Sequence, residues 1–301
     1  MKKLLLTLFF LAFATCANAN NCFWVGGTGT WDNAAITHWA PTTGGGATGC
    51  STSNAAPTTG DTVTFDGASG GGTVTVASTI NGLSLNQITM GAFTGTLDFS
   101  VNNPNITITA QFSISGSGTR TLKLGSGTFT LSPGGGNNTA WFATTTTGLT
   151  FTAGTSTIVY NGTTSVAVNS FAGGGLTYNN VTLANSAAPA VTMQIAGSNT
   201  FNSLTVTAPA LVKLTGTTTA TTLTLAGTSF SNAIALLNDN QPSATTISVA
   251  SGTVTCNWCA IAGLTFSGGA TFTATNSFDL KGNAGITITG PSGGGGHIIG
   301  G

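Results

Sequence analysis

Cys256 and Cys259 enclose the segment CNWC, the chain's one Cys-x-x-Cys, a spacing shared by redox dithiols and by half of a zinc site. Zinc requires four ligands, and the two histidines, His38 and His297, lie far off in sequence with no second such pair to join them. A redox dithiol sits where a strand hands over to a helix, and strong helix formers are scarce here. The segment therefore reads as a structural disulfide or two buried thiols. Of the three pairings open to Cys22, Cys50, Cys256 and Cys259, the close ones are expected: Cys22 with Cys50 and Cys256 with Cys259.

Acid–base chemistry has little to draw on. Cleaving a glycosidic bond takes two carboxyls about 5 to 9.5 Å apart across it. All six acids are Asp, and only Asp61 and Asp66 are close in sequence. They flank one strand an odd number of positions apart, so they face opposite ways. Asp66, followed by Gly67, reads as a turn residue, and Asp279 between Phe278 and Leu280 reads as outward-facing. A lyase would need cations, yet Arg120 and Lys123 have no nearer acid than Asp98. No catalytic, cofactor-binding or metal-binding residue is assigned. A polysaccharide-degrading enzyme stays as an alternative, with Asp98, Asp239 and Arg120 the groups on which to test it.

Two other patterns attract notice. Trp24, Trp31 and Trp39 crowd the segment CFWVGGTGTWDNAAITHWA, where they could form a platform for sugar rings or an N-terminal cap. Their spacing does not suit one face of a strand, and Gly26, Gly27 and Gly29 suit a turn, so a cap is expected. Thr-x-Thr segments begin at Thr62, Thr73, Thr107, Thr128, Thr150, Thr205, Thr222, Thr253, Thr271 and Thr287. A flat, in-register threonine array would suit an ice-binding solenoid, but the intervals between these segments are uneven and promise no common face.

The elements that must carry these residues follow from composition. Lys2 and Lys3, the run LLLTLFFLAFA and the segment ANA form a secretory signal over residues 1–19, cleaved after Ala19. No later stretch has the roughly 20 apolar residues of a membrane span. Six basic residues less Lys2 and Lys3, against six Asp, leave a net charge of about −2 after cleavage. Arg120, Lys123, Lys213 and Lys281 are too few for the positive field that nucleic acid requires. Abundant β-branched and aromatic residues argue against disorder and for an all-β chain.

From GDTVTFDG onward, short runs of period two such as TVTF, TLKL and TFTL follow one another, bounded by Gly, Asn, Ser or Pro. Strands this short suit a solenoid of stacked coils. The nearly even spacing of Thr107, Thr128 and Thr150 gives a repeat of roughly 21 residues per coil. Val74, Val76, Leu83, Leu85, Ile106, Ile108, Leu122 and Leu124 should point inward, with Thr outward and Gly and Asn at corners. The expected organisation is a capping segment over 20–60, a right-handed β-solenoid of about ten irregular coils over 61–290, and a Gly-rich tail over 291–301.

The blocks FWVGGTGTWDNAAITHWA and GDTVTFDGASGGGTVTV, with the later GGLTYNNVTLANSAAPAVTMQIAGSNTFNSLTV, resemble passenger segments of secreted bacterial β-helix surface proteins, including the autotransporter-associated β-strand repeat and adhesin-like types. The resemblance implies a right-handed parallel β-helix displayed outside the cell. It supplies no catalytic motif. The ending GITITGPSGGGGHIIGG is unlike the membrane barrel of an autotransporter, so self-export is not expected. The expected function is a secreted or cell-surface structural solenoid whose polar faces meet glycans, surfaces or other copies of itself. Ice binding and polysaccharide cleavage remain the other readings.

Overall fold

Alternation decides the local structure. In Thr128–Leu131 the burial alternates, Thr128 and Thr130 half-exposed and Phe129 and Leu131 buried, as a strand with one apolar side requires. The computed structural model describes residues 19–51, 54–134, 139–162, 169–184, 192–240, 243 and 245–291. The expected signal over residues 1–19 and the Gly-rich tail over 291–301 lie outside them, apart from residues 19 and 291. Among the described residues the helical elements are two short 3-10 turns, and nearly all the rest is strand and corner.

The chain begins with β1 (Asn21–Trp24), β2 (Gly29–Trp31), β3 (Trp39–Ala40), β4 (Thr62–Phe65), β5 (Thr73–Val76) and β6 (Ser84–Met90). It then winds as a parallel β-helix with three faces, each strand pairing with its counterpart one coil later. Face A stacks β1, β4, the end of β6 and the end of Ile106–Ile114, and runs on through Thr139–Ala143 and Asn169–Ala172 to Phe278–Asp279. Face C holds β2, β5, Thr96–Asp98, Arg120–Lys123 and Leu149–Thr152. Face B starts with Ser84 and Leu85 of β6 and ends at Thr287–Ile288. Long strands such as Asn199–Thr207 turn a corner without breaking, so one strand serves faces C and B.

Inward residues form columns along the axis. On face B one column runs Ile106, Phe129, Ile158, Val181, Leu204 and Leu223, all buried. Each large side chain removed from water contributes about 1.5–3 kcal/mol. Of the inward positions expected from sequence, all are buried except Leu83, which is partly so. Asparagine stacks at the corner between faces C and B: Asn202 Nδ2 donates to Asn179 Oδ1 at 3.2 Å, and Asn179 Nδ2 to the Ser156 carbonyl at 3.2 Å. Nine steps separate β4 from Phe278–Asp279. The steps differ in length: the turn from Ile261 to Asp279 is short, and the turn from Trp141 to Phe171 is much longer.

The segment over 20–60 is more regular than its composition suggests. β1 lies parallel to β4, and β2 parallel to β5, so both belong to a first coil. β3 then reverses and pairs antiparallel with β1, Trp24 opposite Trp39, covering an edge that would otherwise offer free N–H and C=O groups. The other end is closed differently. Asp279 occupies the inward register position after Ile261, whereas Phe278 follows Ala260 and points out. Asp279 is exposed, as expected from sequence; what differs is that its apolar neighbours Phe278 and Leu280 are exposed as well. In the last coil the apolar column has ended, and a carboxylate meets water there while accepting from Lys281 N at 2.9 Å and Asn283 Nδ2 at 2.8 Å.

Candidate functional site

The three tryptophans have no exposed surface: Trp24, Trp31 and Trp39 are each 0 % accessible. Trp39 meets Trp24 edge-on at 5.1 Å and Trp31 at 5.6 Å, and all three rings lie about 6 Å from Phe65. His38 stacks on Trp24 at 4.6 Å. Gly29 is required here, because a Cβ on it would sit 2.4 Å from His38 Nε2. No ring face is left for a sugar.

Both close cysteine pairs stand at disulfide distance, with Cα separations of 4.5 Å for Cys22–Cys50 and 6.0 Å for Cys256–Cys259. Cys256 is the last inward residue of its face B strand and Cys259 the first of its face A strand, so their bridge spans a corner inside the core. Among the described residues, Cys22, Cys50 and Asp61 are the one trio of metal-ligating atoms within 4.8 Å of one another. The two sulfurs are bonded to each other, and Asp61 is spent on structure. It accepts from Asn20 N and Nδ2 at 2.8 and 2.9 Å and from Thr58 N and Oγ1 at 2.8 and 3.0 Å.

The other carboxylates are likewise engaged. Asp32 accepts from the Ala34 and Ala35 amides, and Asp66 caps a 3-10 turn and accepts from Thr43 Oγ1. Asp98 pairs with Lys123 at 3.1 Å in adjacent coils of face C. Burial pushes the Asp98 carboxyl up, but hydrogen bonds from Ser100 and Lys123 outweigh it and hold the group below its ordinary value. Asp239 takes Lys213 at 3.0 Å and Gln194 Nε2 at 2.9 Å beside face A. The Arg120 guanidinium is buried and donates to the carbonyls of Gly118, Thr147 and Thr145. Asp98, Asp239 and Arg120 thus have separate partners and do not converge on one bond.

The threonines do converge. Seven of the ten Thr-x-Thr segments named above lie on face B, those beginning at Thr107, Thr128, Thr205, Thr222, Thr253, Thr271 and Thr287. Register joins their outward positions into a column Ser84, Thr107, Thr130, Val159, Thr182, Thr205, Thr224, Thr255, Thr273 and Thr287. A second column, one outward position upstream, runs Thr128, Thr157, Asn180, Ser203 and Thr222, and then Thr253 and Thr271. None of these residues is buried and none is charged. Sequence spacing hid the array in two ways. Triplets of faces A and C are interleaved with those of face B, and insertions at corners change the interval without changing the register. Val159, Asn180 and Ser203 also belong to the columns, although a search for Thr-x-Thr passes over them.

The array has one fault. Between Thr218–Ala226 and Thr253–Asn257 the register reduces to the pair Leu225–Cys256, and a shallow cleft of about 220 Å³ opens beside Thr222 and Thr253. Face A carries a larger apolar cleft of about 520 Å³, lined by Leu211, Ala235 and Ala260 under the exposed ring of Phe230. Phe278 meets that ring edge-on at 6.0 Å. Among the described residues no helix is long and apolar enough to cross a membrane. Compared with protein-family models, with curated proteins and with solved structures, the chain matches none.

Proposed function

We propose that the protein is a secreted or cell-surface structural β-solenoid that works by contact through face B, adhesin-like in presenting one extended polar surface rather than a pocket. The two in-register columns carry this reading. They repeat an uncharged, mostly hydroxyl-bearing pattern along the axis, broken by Val159 and Asn180, the arrangement that sums many weak contacts into useful avidity. The six carboxylates support it from the other side, since each is held by structural hydrogen bonds or an ion pair. Glycans, mineral or ice surfaces and further copies of the chain are the partners that such a face suits, and no nucleic acid is among them.

The test is sedimentation of the purified protein with insoluble polysaccharides, whole cells and ice, and of the protein alone. The comparison is a variant carrying Thr182→Lys and Thr205→Lys. Retention of the wild type on at least one solid, lost in the variant, is expected. A wild type that binds no solid and no copy of itself, or a variant that binds as well, overturns the proposal.

A further inference from the structure

We propose that the solid recognised by face B is ice. This rests on the contact role of that face and names its ligand. Neighbouring coils stand about 4.8 Å apart, and alternate residues along a strand about 6.7 Å apart, so the two columns form a nearly rectangular net of side chains. Water in a tetrahedral lattice with O···O near about 2.75 Å has second neighbours at about 4.5 Å and an axial repeat of about 7.3 Å, both fixed by the hydrogen-bond length. The misfit is about 0.3 Å per coil. Across the unbroken block from Thr128 to Thr222, which is four steps, it accumulates to about 1.2 Å, under a third of the lattice period. Registry therefore holds over the block. The cleft beside Thr222 and Thr253 then separates it from the shorter block that follows.

The chemistry of the face selects among solids. Threonine places a hydroxyl and a methyl on one β-carbon with a restricted χ1, so each threonine both anchors a water and confines its neighbours, while Val159, Asn180 and Ser203 interrupt the pattern without adding charge. Charged groups would impose their own hydration shells, and face B has none in either column. Glycans can hydrogen-bond to such hydroxyls, but the columns offer no aromatic ring on which a sugar could stack. In the Thr271–Thr275 coil, Thr273 Oγ1 donates to Thr255 Oγ1 at 3.3 Å, tying one coil's hydroxyl to the next.

The experiment partitions fluorescently labelled purified protein between growing polycrystalline ice and liquid, and measures thermal hysteresis on the same samples. The variants are Thr182→Lys with Thr205→Lys on face B, and Thr121→Lys with Thr150→Lys on face C as a control for added charge. Circular dichroism verifies the fold of each. Incorporation into ice by the wild type and the face C variant, with a loss of about tenfold or more in the face B variant, is the result expected. Exclusion of the wild type from ice, or equal incorporation of both variants, overturns the proposal. If the wild type is excluded from ice yet sediments with a polysaccharide or cells in a face B-dependent way, ice is wrong and the contact role stands. If it binds nothing, both fail.

Discussion

Replacing Trp39 by alanine should open the first coil and leave the rest of the solenoid closed. The ring is fully buried and packs edge-on against Trp24 and Trp31 at 5.1 and 5.6 Å, while its backbone holds β3 on β1. Removing a buried Trp side chain costs about 3–5 kcal/mol. At about 1.4 kcal/mol per factor of ten, local opening rises roughly a hundred- to four-thousand-fold. Coils interact with their neighbours only, so the loss stays near its origin. Hydrogen exchange reads this directly: the Val25 and Gly49 amides, which donate to His38 O and Trp39 O at 2.8 and 2.9 Å, lose protection, while amides of Asn199–Thr207 keep theirs. Trp39→Phe keeps most of the packing and removes an indole N–H that has no acceptor, so it should cost under about 1.5 kcal/mol. Unchanged protection in β1, or an equal fall along the whole chain, would refute the capping role of this ring.

Three further outcomes are expected. Cys22→Ala with Cys50→Ala frees a loop of 28 residues and should lower stability by about 3–4 kcal/mol, read by urea unfolding, with Cys22–Cys50 intact in the reference protein. The Asp98 carboxyl is held below its unfolded value of about 3.9, so its contribution is complete above that pH and is lost as the pH falls through the folded pKa. Asp98→Asn should thus destabilise at neutral pH, with the gap to wild type narrowing as the pH falls below the unfolded value of about 3.9 in thermal melts. Gly116→Ala places a Cβ 1.5 Å from the Gly91 carbonyl oxygen, so the corner must shift, and a loss of about 1–3 kcal/mol is expected by calorimetry.

The solenoid was legible because its causes are local. Period-two runs such as Thr128–Leu131, with glycine and asparagine between them, leave few alternatives to short stacked strands. The cysteine pairs were legible because sequence proximity limits the choice. What escaped depends on registration between coils. The threonine columns ignore the sequence interval, since a corner may add or lose residues and return the next strand to the same level. The exposure of Phe278 and Leu280 escaped for a related reason. They flank Asp279 and look like an inward pair, but the apolar column stops at Ile261 and the final coil turns its phenylalanine toward Phe230. The first coil was hidden by composition, because the tryptophans and glycines between Cys22 and Trp39 obscure the two strands they flank.

Registry across the fault in face B is the most exposed point of the structural claim, and engineered cysteines measure it. Thr224 and Thr255 are far apart in sequence yet neighbours in the column next to Leu225 and Cys256. A Thr224→Cys, Thr255→Cys chain should close a third disulfide rapidly under mild oxidation, since neighbouring parallel strands bring Cα atoms within the range a disulfide spans. Thr224→Cys with Thr273→Cys, one coil further on, should not close. Rapid closure of the second pair, or none of the first, would mean that the threonines do not stack as one column and that face B is not a continuous surface.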